Sequence, residues 1–329
     1  MSGVGRAWGK VILLGEHAVV YGVPAIAVGI DRGARAEPSP ISAGPSELFV
    51  RGWGIEAKDV EAKAGDEPSV ARAFRALAEI TRDRRRARGE AELSPVAISA
   101  AADLPPGGGL GCSAALGVAV ARALDPSADS EEIALRAGAW EQVFHGNPSG
   151  VDAAVSAAGG CVYFERGKPI ERVAMREPLL LCVGNTGVAS STKTMVESVA
   201  RLRARRPEVC EKSFEGIRSL VRNARLAVEA GDAVGLGRLM DLNQMLLSGL
   251  FVSTEEIEAM CSLARSAGAL GAKLTGAGGG GSVVALVPDP AVAERVLFAW
   301  EKEGYSSFFA RAFAPAEGAQ PSATPGSAP

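Results

Sequence analysis

The sequence has few of the residues on which metal centres, disulfide frameworks and nucleic-acid surfaces depend. Only two histidines, His17 and His145, occur among its 329 residues, so a histidine-based zinc site is not expected. The five cysteines are odd in number and scattered, with no metal-ligand spacing, so neither a cysteine metal site nor a disulfide framework is expected. The net charge of −3 argues against nucleic acid or an anionic membrane as the main partner.

Long apolar runs and targeting signals are also missing. No stretch approaches the roughly 18 apolar residues of a membrane span. The short apolar run 11–14 is followed almost at once by Glu16 and does not make a secretory signal. Together with the unpaired cysteines, these absences predict a protein of the reducing cytoplasm.

The composition favours a folded protein with more than one domain. Hydrophobic residues make up 47% of the chain, and the length of 329 residues favours two domains. Segments with strand spacing alternate with longer segments of helical spacing, which predicts a mixture of helices and strands. Glu177–Pro178 precedes a new predicted strand, so we expect domains of residues 1–177 and 178–313. Residues 314–329 have no large apolar side chain and are expected to be a disordered tail.

Glycine is abundant, and one glycine cluster is typical of a phosphate site. The segment 103–118, DLPPGGGLGCSAALGV, places four glycines between two prolines and an apolar helix. A glycine loop that runs into a helix start presents free backbone N–H groups beside the positive end of the helix dipole, which favours phosphate binding. The alternative is a flexible loop that caps a buried helix. The predicted phosphate-binding residues are Pro106, Gly107, Gly108, Gly109, Leu110, Gly111, Cys112, Ser113 and Ala114.

Two familiar phosphate motifs do not apply to this chain. No Lys-Ser or Lys-Thr follows the glycines of the loop, so it is not a Walker A motif. A second cluster, 276–281, has the glycine spacing of a dinucleotide fingerprint, but a strand rather than a helix is predicted after it. A dinucleotide-dependent oxidoreductase is therefore disfavoured.

Three stretches resemble the three motifs of one enzyme superfamily. They are GKVILLGEHAVVYG (9–22), PPGGGLGCSAA (105–115) and KLTGAGGGG (273–281), and the superfamily comprises galactokinases, homoserine kinases, mevalonate kinases and phosphomevalonate kinases. Within it, GEHAVVYG (15–22) and HGNPSGVD (145–152) are similar to the mevalonate kinase branch. The resemblance runs in order from residue 5 to about 313. Two positions depart from it, since Trp8 replaces a usual proline and Cys112 replaces a frequent serine.

The resemblance implies a fold and an activity. The fold would be α+β with two domains and the active site between them. Residues 1–177 would form the ATP-binding domain, and residues 178–313 would form a ferredoxin-like domain. The activity would be ATP-dependent phosphorylation of mevalonate at its 5-hydroxyl, with Mg²⁺ as cofactor, on the mevalonate route of isoprenoid and lipid metabolism. A homodimer is one assembly that the resemblance allows.

The resemblance also assigns roles to individual residues. Transfer of a γ-phosphoryl group to an alcohol requires charge neutralisation, a bound Mg²⁺ and removal of the hydroxyl proton. Ser113 and Glu141 would be the Mg²⁺ ligands, because a hydroxyl and a carboxylate suit this hard cation. Asp152 would be the general base or would orient the hydroxyl, and Lys10 would stabilise the oxyanion. The implied substrate-binding residues are Glu16, His17, Ser149, Thr275 and Gly276.

Other interpretations of the same residues stay open. Asp152 could be a helix cap, Glu141 a solvated helix carboxylate, and Lys10 a strand-edge lysine. The same chemistry could act on phosphomevalonate or on another small alcohol such as a sugar, although segment 145–152 offers no additional basic residue for a substrate phosphate. A non-catalytic relative that only binds ligand is a further alternative, and the presence of all three side chains argues against it.

Overall fold

We analysed a computed structural model, which describes residues 3–52, 55–58, 68–105, 107–146 and 149–314. Pro106, of the predicted phosphate loop, lies outside the described residues, as does the predicted tail beyond Ala314. Within the described residues, no helix is long and apolar enough to cross a lipid bilayer.

The first part of the chain forms a mixed sheet of seven strands. The strands are β1 (Gly5–Leu14), β2 (Ala25–Pro40), β3 (Glu47–Val50), β4 (Ile55–Lys58), β5 (Val96–Ala102), β6 (Cys161–Phe164) and β7 (Glu171–Val173). Their order is β4-β3-β5-β2-β6-β7, with β1 paired to β2; the β3–β5 pair is parallel, and the other pairs among the described strands are antiparallel. Strand β1 includes the apolar run 11–14, and both β1 and β2 continue through glycines, Gly9 in β1 and Gly29 and Gly33 in β2.

Four helices accompany this sheet, and the most buried of them begins at the glycine loop. The helices are α1 (Ser69–Ala87), α2 (Cys112–Leu124), α3 (Ser130–His145) and α4 (Val151–Ala158). Helix α2 packs on β1 and β2, and every one of its residues except Ser113 is buried. Its sequence is apolar nearly all round, which predicts such a central position. Asp129 caps helix α3, and its carboxylate accepts a hydrogen bond of 2.8 Å from Glu132 N–H.

The second part of the chain forms a four-stranded antiparallel sheet. Its strands are β8 (Leu179–Asn185), β9 (Gly271–Thr275), β10 (Ser282–Val287) and β11 (Ser306–Ala312), in the order β11-β8-β10-β9. This is the strand order of a ferredoxin-like fold, as the resemblance implies. The accompanying helices are α5 (Thr192–Arg205), α6 (Pro207–Ala230), α7 (Ala233–Gly249), α8 (Glu255–Ser266) and α9 (Pro290–Lys302). The sequence did not predict β9, because its five residues directly precede the glycines.

Contacts between the two sheets explain one departure from the superfamily motifs. Trp8 is only 2% exposed and packs edge-on against Phe313, with ring centroids 5.3 Å apart. Nearby, the Asp31 carboxylate accepts a hydrogen bond of 2.8 Å from Arg311 N–H. Trp8 therefore packs between the first strand and the end of the last one.

Candidate active site

The glycine loop packs directly against the middle of β1. Gly111 caps α2 with a φ of 71°, and a Cβ atom there would lie 3.2 Å from the Cβ of Lys10. The Lys10 N–H donates a hydrogen bond of 2.9 Å to the Leu110 carbonyl. Glycine is needed at 111 because this positive φ disfavours a side chain and the neighbouring strand leaves little room for one. The loop thus holds the first turn of α2, with its free N–H groups, against Lys10.

Cys112 occupies the first position of α2 and points into the protein. Its side chain is 7% exposed, and the Sγ atom lies 3.7 Å from the Leu104 carbonyl oxygen. Burial raises the pKa of the thiol to about 12, so the side chain stays protonated and unreactive. Replacement of the frequent serine therefore leaves only the backbone N–H of this residue for a ligand.

Ser113 and Glu141 form the polar centre of the site. The Ser113 hydroxyl donates a hydrogen bond of 2.7 Å to Glu141 Oε1 and accepts one of 3.3 Å from Trp140 Nε1. The other carboxylate oxygen of Glu141 lies 3.6 Å from His145 Nε2. Burial is the main cause that raises the pKa of Glu141; the hydrogen bond from Ser113 lowers it, and the charge of Asp152 raises it further. Glu141 is buried, so it is not a solvated helix carboxylate.

Lys10 and Asp152 form an ion pair beside this centre. Lys10 Nζ lies 3.1 Å from Asp152 Oδ1, and the lysine side chain is 5% exposed whereas the aspartate is 35% exposed. Helix α4 follows Gly150, whose φ is 82°, so Asp152 lies in its first turn. Lys10 is buried rather than at a solvated strand edge, and Asp152 is not the capping residue of its helix.

The second glycine cluster lies against the phosphate loop. A Cβ atom on Gly109 would be 3.1 Å from the Thr275 carbonyl oxygen, and one on Gly276 would be 3.1 Å from Gly109 Cα. The Thr275 hydroxyl accepts a hydrogen bond of 3.1 Å from Ile12 N–H and donates one of 3.2 Å to the Ile12 carbonyl. Thr275 and Gly276 therefore contact the phosphate loop and β1, and the Thr275 hydroxyl uses its donor and one of its two acceptor positions within the protein.

The two residues after Gly15 are buried between the sheets. His17 Nε2 lies 2.7 Å from the Ala277 carbonyl oxygen, and burial lowers the pKa of this ring. Both carboxylate oxygens of Glu16 are engaged, Oε1 by the Lys273 ammonium and Oε2 by Asn243 Nδ2 at 3.2 Å. Burial raises the pKa of Glu16 and lowers that of Lys273. Glu16 is thus not open to a ligand in this arrangement.

The remaining predicted substrate residue, Ser149, is exposed just before α4. Its hydroxyl accepts a hydrogen bond of 3.4 Å from Val151 N–H. The structure also shows polar residues that the sequence did not single out. Asn185 and Ser282 come from the second sheet and flank the phosphate loop, since a Cβ atom on Gly108 would lie 3.0 Å from Ser282 Oγ and 3.3 Å from Asn185 Nδ2. Neither residue stands in a recognisable pattern, although each marks the end of a strand next to a glycine segment.

Comparison with known proteins gives consistent matches along the chain. The family pattern described as GHMP kinases N terminal domain matches residues 69–160, and the one described as GHMP kinases C terminal matches residues 224–306. The chain is 37% identical over 305 residues to the mevalonate kinase of Thermococcus onnurineus, covering 85% of this chain and 87% of that protein. It is 35% identical to the mevalonate kinase of Methanothermobacter thermautotrophicus, covering 88% of this chain and 91% of that protein.

Solved structures are similar over nearly the whole length. The structure of L. major mevalonate kinase in complex with R-mevalonate has a TM-score of 0.79 and 28% identity, and the similarity covers 96% of this chain and 97% of that one. The Methanococcus jannaschii mevalonate kinase has a TM-score of 0.80 over 95% of this chain and 99% of that one. Its identity of 23% shows the shared fold alone.

Proposed function

We infer the function of this chain from one premise, which is that it belongs to the GHMP kinase family. The activity that the site supports best is transfer of the γ-phosphoryl group of ATP to the 5-hydroxyl of mevalonate, which gives 5-phosphomevalonate on the route to isoprenoids. The single observation that carries this proposal is the identity of 35–37% to curated mevalonate kinases over 84–88% of the chain. The Lys10–Asp152 pair beside the glycine loop, with a buried lysine and a partly exposed aspartate, supplies the chemistry that this reaction needs.

We propose that the loop residues 107–114 bind the ATP phosphates through backbone N–H groups. Gly111 starts α2, so the free N–H groups of the first turn and the positive end of the helix dipole face the same space. Pro106 belongs to the sequence prediction for this loop but lies outside the described residues. Gly108 and Gly109 leave no side chain between the phosphates and the second sheet.

The donor atoms around Ser113 fit a Mg²⁺ ion. The Ser113 hydroxyl and the buried Glu141 carboxylate lie 2.7 Å apart, and burial together with the charge of the nearby Asp152 carboxylate raises the pKa of Glu141, so a bound cation would stabilise the ionised carboxylate. No cluster of three or more His, Cys, Asp or Glu residues among the described positions could hold a metal by itself, which suits a cation that keeps waters and substrate phosphates as ligands. We propose that Ser113 and Glu141 hold Mg²⁺, which when bound neutralises phosphate charge.

Asp152 is the proposed general base, or the group that orients the hydroxyl. Its side chain is 35% exposed and Lys10 contacts Oδ1, so a substrate hydroxyl can reach the carboxylate. The Lys10 ammonium contacts this carboxylate and would stabilise negative charge on the attacking oxygen. The backbone hydrogen bond from Lys10 to Leu110 supports this proposal, because it holds Lys10 beside the phosphate loop.

His17 is proposed to accept a hydrogen bond from a hydroxyl of mevalonate. A carbonyl oxygen can only accept, so the contact with Ala277 requires that Nε2 carries a proton. Because burial lowers the pKa of this ring, it is neutral at pH 7, and its Nδ1 atom is then an acceptor. The ring is therefore suited to a hydroxyl rather than to the carboxylate of the substrate. Ser149 is proposed as a second substrate contact at the exposed start of α4.

Three further statements rest on the sequence and are proposals. The two sheets would mark two domains that divide at Glu177–Pro178, with the site between them. The protein would act in the cytoplasm, and its assembly would be a homodimer. Sedimentation at several protein concentrations tests the assembly.

A coupled assay of ADP release tests the proposed activity. Purified protein is given ATP, Mg²⁺ and one of mevalonate, phosphomevalonate, galactose or homoserine. We expect the highest kcat/KM with mevalonate. A clear preference for phosphomevalonate or for a sugar would overturn the substrate assignment while leaving the kinase chemistry in place.

A further inference from the structure

A buried ion pair joins the segment just after β1 to β9, the strand that precedes the second glycine cluster. Glu16 and Lys273 are 1% and 0% exposed, and their charged groups are in direct contact although the residues are 257 positions apart in the chain. Asn243 of α7 is also fully buried and donates its amide hydrogen to the other oxygen of Glu16. The Lys273 ammonium also donates a hydrogen bond to the Leu274 carbonyl oxygen. We call these three side chains the Glu16 clasp.

The Glu16 clasp lies among the contacts that shape the catalytic site. Directly after Glu16, His17 has a φ of 59°, a strained value for a residue with a side chain, and its ring bonds to Ala277. Two residues after Lys273, Thr275 bonds to both backbone groups of Ile12, and its carbonyl faces Gly109. The clasp therefore ties the strand that carries Lys10 to the segment that supports the phosphate loop.

Stability alone does not account for such a pair. Removal of two charges from water is costly, and apolar residues of the same volume often replace a buried ion pair with no loss of stability. Asn243 Oδ1 is, in addition, buried without a hydrogen-bond partner in the structure. A buried cluster with this desolvation cost is better explained by the geometry of the neighbouring catalytic site than by the stability of the fold.

We propose that Glu16, Lys273 and Asn243 are positioning residues for phosphoryl transfer. The Glu16 clasp holds the strained turn at His17 and the segment 273–277 in one register. That register fixes the distance between Lys10 on β1 and the phosphate loop. Glu16 is then not a substrate ligand, and this inference rests on the proposed function only for the identity of the alcohol.

The main test replaces both charges by neutral side chains of similar size, Glu16→Gln with Lys273→Met. No buried charge is left unpaired in this double variant, so it should fold with a Tm within a few degrees of the parent. We expect kcat to fall about 10- to 100-fold with KM for ATP within about threefold, because a displacement of about 1 Å near the reacting groups has effects of this size. A folded double variant with kcat within about threefold of the parent would overturn the proposal.

A matched control removes a buried charge contact away from the loop. Arg136 of α3 is 0% exposed and pairs with Asp125 at the far end of α2. Arg136→Met should lower Tm but leave kcat at 25 °C unchanged, which separates loss of stability from loss of position. If the double variant of the clasp does not fold, Asn243→Ala replaces it. That change should lower kcat at least about threefold at an unchanged KM for ATP, and a parental kcat would contradict the proposal.

The ring of His17 gives a readout that does not depend on turnover. The chain has only two histidines, so ¹⁵N-histidine labelling gives two ring systems, and His145→Asn assigns them. In the parent we expect the Nε2–H tautomer for His17. In the double variant we expect both ring nitrogens to shift towards an average of two tautomers as the bond to Ala277 loosens. An unchanged His17 spectrum in the double variant would refute the proposal that the Glu16 clasp holds the turn at His17 in position. If the parent does not phosphorylate mevalonate, only the proposed function is refuted. The Glu16 clasp can still be tested by the His17 spectrum and by kcat with whichever substrate of the ADP-release assay reacts fastest.

Discussion

Replacement of Asp152 by asparagine separates a catalytic carboxylate from a structural one. The variant keeps the size and polarity of the side chain but cannot accept the proton of the attacking hydroxyl. A positioned acid–base group contributes about 10²–10⁴ in rate, which corresponds to roughly 3–5 kcal/mol of barrier. We expect Asp152→Asn to lower kcat by this factor, with the affinity for ATP unchanged because the phosphate loop and Ser113 are untouched.

The structure also sets the expected effect of this variant on folding. Asp152 is 35% exposed and contacts Lys10, which also lies 3.5 Å from the Gly109 carbonyl oxygen. A partly exposed ion pair contributes at most about 1 kcal/mol, so Tm should fall by roughly 2–4 °C. Asp129→Asn is the matched control, because Asp129 caps α3 and asparagine caps as well as aspartate.

The assay is steady-state ADP release, nucleotide binding and thermal unfolding on Asp152→Asn, Asp129→Asn and the parent. Asp129→Asn should keep parental kcat. A folded Asp152→Asn protein that retains more than about a tenth of parental kcat would refute the base assignment.

Three further predictions concern the metal, the cysteines and acid stability. Ser113→Ala and Glu141→Gln should each raise the Mg²⁺ concentration needed for half-maximal rate and lower kcat without unfolding the protein; Mg²⁺ titrations identical to the parent's would remove both residues from the metal site. All five cysteines are buried, so the native protein should consume no thiol reagent at pH 8 and five equivalents once unfolded, and reaction of a native thiol would show that the core opens. The hydrogen bond from Arg84 is the main cause that lowers the pKa of Glu132 to about 2, so the stability from this carboxylate is present above pH 4.5 and is lost as the pH falls towards 2. Chemical denaturation of Glu132→Gln should therefore show a shallower loss of stability in that range than the parent, and equal slopes would contradict this.

The sequence predicts the local elements of the site well. The loop at 107–114, the burial of α2 and the position of Asp152 in a first helical turn follow from glycine, apolar and turn patterns within about 20 residues. The Ser113–Glu141 contact came from the resemblance, since the two residues are 28 positions apart and neither alone is distinctive. The local sequence pattern thus predicts the phosphate loop, whereas the pairing of Ser113 with Glu141 is predicted only through the family resemblance.

Long-range pairing of buried polar groups could not be predicted. Glu16 follows a strand and carries a charge, which is typical of a residue that reaches a ligand, yet both of its oxygens are bound inside the protein. Lys273 precedes a glycine cluster and Asn243 lies in the middle of a helix, and nothing in either pattern indicates that the other is its neighbour. Only the packing of the second sheet against β1 brings them together.

The most direct test of the central claim is the identity of the phosphorylated product. Protein, ATP, Mg²⁺ and mevalonate are followed by ³¹P NMR with proton coupling. We expect ADP and one phosphate monoester in equal amounts, with the monoester signal split into a triplet by the two protons on C5. Absence of a mevalonate-dependent monoester, or a monoester signal that is not split by the two C5 protons, would contradict the account.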